Sequence, residues 1–288
     1  MLKHINQNYL NWNCSKVNEL GKFRYMPYFN SRLKELVKQR RSWLCVGLDM
    51  NPEALGKNDL TGLKEHSFKV IDATREFAVA YKPNFAFFER WGAVGFAWLE
   101  EIVEYIGNEH IKIADAKRGD IGNTAKQYAK SIFDHFGFDS VTLNPYMGTD
   151  SIMPFIKDKN KGAFVLCRTS NESAKDLQNH LVNGVPLYEH VAQMVKELNK
   201  LDNVGLVVGA TAPDELDRIR SIVPDASLLI PGVGAQGGDL THSLEAGNRS
   251  GVGLINISRD ISFRGDMSEE VIHKAASGYV EKMRELMS

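Results

Sequence analysis

The chain is poor in the residues that hold disulfides and metals. It has 3 cysteines, an odd number, and no CxxC pair. A disulfide framework or a zinc ribbon is therefore not expected. Cys45 and Cys167 lie inside the apolar runs WLCVGL and AFVLCR, where cysteine serves as a small buried residue. Cys14 lies in a polar N-terminal segment. The 8 histidines are scattered, with no HxxxH or HExxH spacing, so no metal site is expected from them. Net charge is equally scarce, at −1 from 35 Lys+Arg and 36 Asp+Glu. Such a balance gives no footprint for nucleic acid or an anionic membrane. No apolar run reaches the roughly 18 residues of a membrane span. The N-terminus, MLKHINQNYLNWNC, lacks the apolar core of a signal peptide. A cytoplasmic protein is expected, with no membrane and no nucleic-acid partner. No Pro- or Ser-rich linker divides the chain, so residues 26–288 are expected to form a single domain.

What is present is a repeat. Short apolar runs recur at 43–49, 77–84, 111–117, 140–145, 162–169, 204–211, 227–234 and 253–260. Between them lie stretches with helical spacing, clearest over 91–107, 123–137, 186–200 and 212–223. Continuous apolar strands alternating with amphipathic helices imply a parallel sheet covered by helices. Eight such units in roughly 260 residues suit a closed α/β (β/α)8 TIM barrel better than an open sheet. Residues 1–25 precede the first unit and show no clear periodicity. Three readings stay open for them: an ordered extension, a disordered arm, or sequence upstream of a true start at Met26.

In a barrel of this kind the C-terminal ends of the strands form the active-site mouth. Polar residues collect at those ends: Asp49; Lys82 and Asn84; Asp115 and Lys117; Arg168, Thr169 and Ser170; the run PGVGAQGG; and Ser258, Arg259 and Asp260. Side chains alternate along a strand, so Lys82 and Asn84 share one face, as do Asp115 and Lys117. Each group has a plainer explanation alone: a strand-end ion pair, a snorkelling lysine, a turn glycine, a surface arginine. Gathered at one end of an apolar barrel, they make a site.

The site divides in two. GVGAQGG supplies bare backbone amides, Gln236 an amide donor and Arg259 a bidentate cation, which together suit a phosphate. Strands two and three supply two lysines and two carboxylates. Unit charges about 4 Å apart interact by roughly 4 kcal/mol at an effective dielectric near 20. An alternating array of them suits a reaction that develops or relocates negative charge. A positioned ammonium can also protonate a carbanion.

The motifs CVGLD (45–49), KPN (82–84), DAKRGDIGNT (115–124), LNPYMG (143–148), CRTSN (167–171), PGVGAQGG (231–238) and NISRDI (256–261) make the chain resemble the orotidine 5′-phosphate decarboxylases. DAKRGDI is the form typical of one branch, the type 2 subfamily. The resemblance covers about residues 27–288. It implies a (β/α)8 barrel that needs no cofactor and no metal. It implies conversion of orotidine 5′-monophosphate to uridine 5′-monophosphate (UMP) and CO2. Lys82, Asp115, Lys117 and Asp120 match the family's charged tetrad, in which Lys117 would protonate C6 of the pyrimidine. Asp115 would sit against the substrate carboxylate. Lys82 would hold Asp115 and a ribose hydroxyl, and Asp49 would accept from the ribose. Asp120 and Thr124 would reach the neighbouring subunit's site in a homodimer. Ser170 matches the pyrimidine contact, Gln236, Gly237 and Arg259 the phosphate grip, and Asn84 a supporting position.

Two other readings compete with this one. A 3-keto-L-gulonate 6-phosphate decarboxylase shares DxKxxD but uses Mg2+, with an acidic residue where Lys82 stands; a lysine there would repel the metal. A catalytically idle nucleotide-binding barrel would need the phosphate grip but not the tetrad. One departure stands out. After CRTSN this branch commonly has Pro-Gly, whereas this chain has Glu172-Ser173 at the start of a segment, 171–189, expected to loop over the substrate.

Overall fold

The computed structural model describes residues 28–56, 58–234 and 236–288. The expected extension over 1–25, the alternative start at Met26 and Cys14 lie outside the described residues. In chain order the strands are β1 (Leu44–Leu48), β2 (Ala80–Pro83), β3 (Ile111–Arg118), β4 (Ser140–Leu143), β5 (Gly162–Arg168), β6 (Leu181–Val182), β7 (Val185–Pro186), β8 (Val204–Val208), β9 (Leu228–Pro231) and β10 (Gly253–Ile257). β6 and β7 pair with each other in an antiparallel hairpin. The other strands close into the expected barrel, in the order β1-β10-β9-β8-β5-β4-β3-β2. Each apolar run of the sequence holds one of these barrel strands. β1, β2, β4, β8 and β10 are buried at every residue, because helices cover one face and the barrel interior the other.

The four clearest helical stretches form helices at Gly92–Ile106, Gly122–Lys130, Leu187–Leu198 and Pro213–Ile222. The stretch 123–137 is not one α-helix: its backbone widens to π geometry over Ser131–His135. Further helices cover the barrel at Leu60–Thr74, Leu240–Asn248 and Glu269–Leu286. Each starts at a residue whose side-chain oxygen accepts an otherwise orphaned N–H: Asp59, Asp239 and Ser268.

The helix Phe29–Arg40 closes the N-terminal end of the barrel. Its Phe29 and Leu33 join Cys45, Ala80, Ile111, Ile113, Phe164 and Leu254 in one apolar cluster. Phe29 and Phe164 meet edge-on, with centroids 6.1 Å apart. Gly162 makes room for this plug, since a Cβ there would lie 2.4 Å from the Phe29 ring. Cys45 is a free thiol in this cluster, and burial pushes it up to about 12. It acts as the packing residue that its sequence setting implies. With one end of the interior filled by apolar side chains, the polar inward positions gather at the other.

Candidate active site

The interior residues change character along each strand. On β1 to β3, Cys45, Ala80, Ile111 and Ile113 belong to the apolar cluster. Two to four residues further on, Asp49, Lys82, Asn84, Asp115 and Lys117 line a cavity of about 680 Å³ at the C-terminal mouth. Leu166, Val207 and Leu229 from β5, β8 and β9 form an apolar wall of the same cavity, and Ser170, Gln236 and Arg259 also line it.

Asp115 is the hub of the charged side. Lys82 Nζ donates to its Oδ2 at 2.5 Å, and Lys117 Nζ donates to its Oδ1 at 2.6 Å. The side chains of Lys82 and Asp115 are 6% and 9% exposed, whereas Lys117 is 51% exposed. Lys82 is therefore no snorkelling edge lysine, and Lys117 carries the ammonium that a ligand can reach. Burial alone would raise the Asp115 carboxyl, but the Lys82 and Lys117 charges outweigh it and hold it well below the usual carboxylate range. Burial likewise disfavours the Lys82 ammonium, yet Asp115 and then Asp49 leave its pKa raised.

The backbone is shaped to this end. Lys117 has φ 45°, a left-handed conformation rare outside glycine and asparagine. The β3–β4 register shifts between Ala114 and Arg118 at this point. Strain of this kind persists only where neighbours hold it, and the Lys117 N–H donates to Thr142 Oγ1 at 2.9 Å. The side chain of Arg118 turns the other way, to Glu89 at 2.8 Å.

The opposite rim is built on glycine. Gly232 has φ 102°, and a Cβ there would stand 3.0 Å from Gln236 Oε1 and 3.4 Å from Ser170 Cβ. Gln236 and Ser170 thus converge over bare backbone. Gly209 admits Ser170, whose Cα would be 2.9 Å from an added Cβ. Arg259 is exposed at this rim. Within the loop, Gly238 N–H bonds Gly232 O at 3.0 Å and Gly237 N–H bonds Gly234 O at 2.7 Å.

Of the expected site residues, Asp49, Lys82, Asn84, Asp115, Lys117, Ser170, Gln236 and Arg259 come together around the cavity. Gly237, Asp120 and Thr124 are not among its lining residues. Asp120 is half-buried and accepts the Ile121 N–H at 2.8 Å, and Thr124 is exposed. Arg168 turns away from the mouth to Glu215 at 3.2 Å, because a register shift between Leu166 and Arg168 interrupts the alternation of β5. The segment 171–189 is only partly loop. A 3-10 turn spans Glu172–Asp176, the β6–β7 hairpin follows, and Leu187 already begins a helix. Gln178 pins its start, accepting the Thr169 N–H at 2.9 Å and donating to Thr169 Oγ1 at 2.8 Å.

The sequence reading passed over Thr142 and Asn256 and placed Ser258 at a strand end without a role; all three line the cavity. Asn256 Oδ1, Ser258 Oγ and Asp49 Oδ1 are buried without a hydrogen-bond partner among the described residues. Such groups cost stability unless a ligand or water satisfies them. Gly47 gives the β10 pair its space: a Cβ there would meet Ser258 Cβ at 2.9 Å and Asn256 Oδ1 at 3.3 Å. The available signal was two polar residues spaced by two in the apolar run GLINIS.

A family model described as orotidine 5′-phosphate decarboxylase / HUMPS family matches residues 42–272. The chain belongs to this family. The curated orotidine 5′-phosphate decarboxylase of Natronomonas pharaonis is 44% identical over 270 residues, covering 91% of this chain and 99% of that protein. That of Herpetosiphon aurantiacus is 41% identical over 260 residues, covering 88% and 96%. Among solved structures, an OMP decarboxylase of Leishmania donovani aligns with TM-score 0.81 at 40% identity, covering 90% of this chain and 98% of that one. Among the described residues, no helix is long and apolar enough to cross a membrane.

Proposed function

We propose that the chain is a carboxy-lyase that converts orotidine 5′-monophosphate to UMP and CO2 in pyrimidine biosynthesis, without metal or cofactor. The observation that carries this reading is the buried Asp115 carboxylate, bonded by Lys82 at 2.5 Å and Lys117 at 2.6 Å, inside the cavity whose far rim holds Gln236 and Arg259. In this reading the glycine loop, Gly237 included, grips the phosphate together with Gln236 and Arg259. Asp49 and Lys82 take ribose hydroxyls, Ser170 takes the pyrimidine, and Asn84 supports the wall.

The substrate carboxylate then faces Asp115. Asp115 is ionised at neutral pH, because its lysines hold its pKa far down. The C6–carboxylate bond breaks, CO2 leaves along the apolar wall of Leu166 and Val207, and the electron pair stays on C6. Lys117 delivers a proton to C6 and recovers one from solvent. The ammonium groups, Lys82 buried and Lys117 beside it on Asp115, stabilise the developing negative charge. The Lys82 charge, attracted by both Asp115 and Asp49, disfavours a divalent cation there.

The complete site in this reading takes Asp120 and Thr124 from a second copy. Around them stand exposed apolar side chains: Ile121 at 54%, Tyr146 at 83% and Met147 at 48%, with Tyr128 and Met153. An apolar surface of this kind supports a two-fold homodimer across the barrel mouths. Residues 26–288 act as a single catalytic barrel, and the location that goes with this role is the cytoplasm.

The test is absorbance of orotidine 5′-phosphate mixed with the protein in EDTA. Wild type is expected to consume the orotate chromophore, and Lys117→Ala to leave it. A wild type inert in EDTA but active with Mg2+ contradicts the metal-free reaction. A wild type inert in both contradicts the decarboxylase reading.

A further inference from the structure

β4 carries one polar side chain at the depth of the reacting groups. In its sequence SVTL, Thr142 is buried and lines the cavity beside Asp115 and Lys117. Its hydroxyl oxygen accepts the Lys117 N–H at 2.9 Å. The same hydroxyl can donate to Asp115 Oδ1 at 3.1 Å, the nearer of its two acceptors; the other is Ala114 O at 3.5 Å. One oxygen therefore ties the backbone of the proposed proton donor to the carboxylate of the hub. A β-branched residue has few χ1 choices, so the hydroxyl is fixed with its strand.

We infer that Thr142 is a positioning residue for the proposed decarboxylation, holding Asp115 in place while Lys117 leaves it for the substrate. This rests on the function proposed above. In the structure Asp115 Oδ1 takes both Lys117 Nζ and Thr142 Oγ1, and Oδ2 takes Lys82. To protonate carbon, Lys117 Nζ must point at the reacting atom. Asp115 then keeps one donor on each oxygen only because Thr142 stays. Without the hydroxyl, Oδ1 would have Lys117 alone, and separating that pair would leave a buried oxygen bare. Lys117 would be held on Asp115 rather than on the substrate. The N–H contact acts in the same direction, fixing the left-handed backbone from which the Lys117 side chain rises.

The variants Thr142→Val and Thr142→Ser separate hydroxyl from shape. Thr142→Val keeps the branched outline and loses the hydroxyl; Thr142→Ser does the reverse. The expected result for Thr142→Val is a kcat lower by about 10–100-fold with KM within about threefold, the pattern of an interaction used in the transition state. Thr142→Ser is expected to recover kcat to within about fivefold of wild type, and UMP affinity by calorimetry to be alike in all three. Should Thr142→Val fail to fold, Thr142→Ala takes its place with the same expectation. The inference is overturned if the hydroxyl-free variant turns over like wild type. It is also overturned if Thr142→Ser is as slow as Thr142→Val, or if UMP affinity falls in proportion to kcat. An inert wild type overturns the decarboxylase reading itself, which differs visibly from an active wild type with an indifferent variant.

Discussion

The charged wall and the glycine rim of one cavity are built on opposite plans. On the wall, Asp115 and Lys82 are buried and already bonded, with Thr142 behind them. On the rim, Arg259 is exposed and Gln236 stands over the bare backbone of Gly232. The charged groups of the wall bond one another, whereas Gln236 and Arg259 on the rim face the cavity. This division fits a reaction whose electrostatics must be in place beforehand and whose binding energy comes from a remote group.

Substitutions can break the division, and the largest effect is expected on the wall. Lys117→Ala should lower kcat by about 10²–10⁴-fold, the range of a lost general acid, with KM for orotidine 5′-phosphate little changed. Asp115→Asn should lower folding stability by about 3–5 kcal/mol, because it strips the buried Lys82 of its partner. Asp115 also sets an acid limit. Its folded pKa lies below its unfolded value, so its stabilisation is full above about pH 4 and is lost as the pH falls below that. Unfolding followed between pH 3 and 7 should show this acid limb in wild type and a flatter one in Asp115→Asn.

On the rim the order of effects reverses. Arg259→Ala should raise KM by about 10–100-fold, the worth of a charge-assisted contact, with a smaller change in kcat. A fall in kcat at constant KM would erase the distinction between the two regions. The smallest effect is expected at Gly47→Ala, where the new Cβ presses on Ser258 and Asn256. Stability should fall by about 1–2 kcal/mol through overpacking, read as a lower melting temperature.

The wall was more legible in the sequence than its surroundings. Strand periodicity places Asp115 and Lys117 on one face, and the structure joins them at 2.6 Å. The eight apolar runs were readable for the same reason, since a strand buried on both faces is a continuous apolar word. Alternation failed where the ladder slips: Arg168, two residues beyond Leu166, leaves the mouth at a register shift that no local pattern announces. Thr142 and Asn256 went unassigned because a single hydroxyl or amide in an apolar run carries no charge pattern. β4 reaches Asp115 only through its pairing with β3, and β10 meets β1 only because the barrel closes. The helix Phe29–Arg40 was likewise unread, although Phe29, Leu33, Leu36 and Val37 fall at helical spacing; what local pattern does not carry is the barrel end that they plug. Gly237, Asp120 and Thr124 rest on the resemblance alone, since one chain does not bring them into the cavity.

The measurement that bears most directly on a tetrad assembled from two copies is subunit mixing. Lys117→Ala and Asp120→Ala would each be purified, assayed alone, and assayed again after joint unfolding and refolding. Each alone should be nearly inactive. Random two-fold pairing makes half of the dimers mixed, with one complete site of two, so about a quarter of wild-type turnover should return. A mixture no more active than its separate components would contradict the shared site and place the whole reaction within one chain.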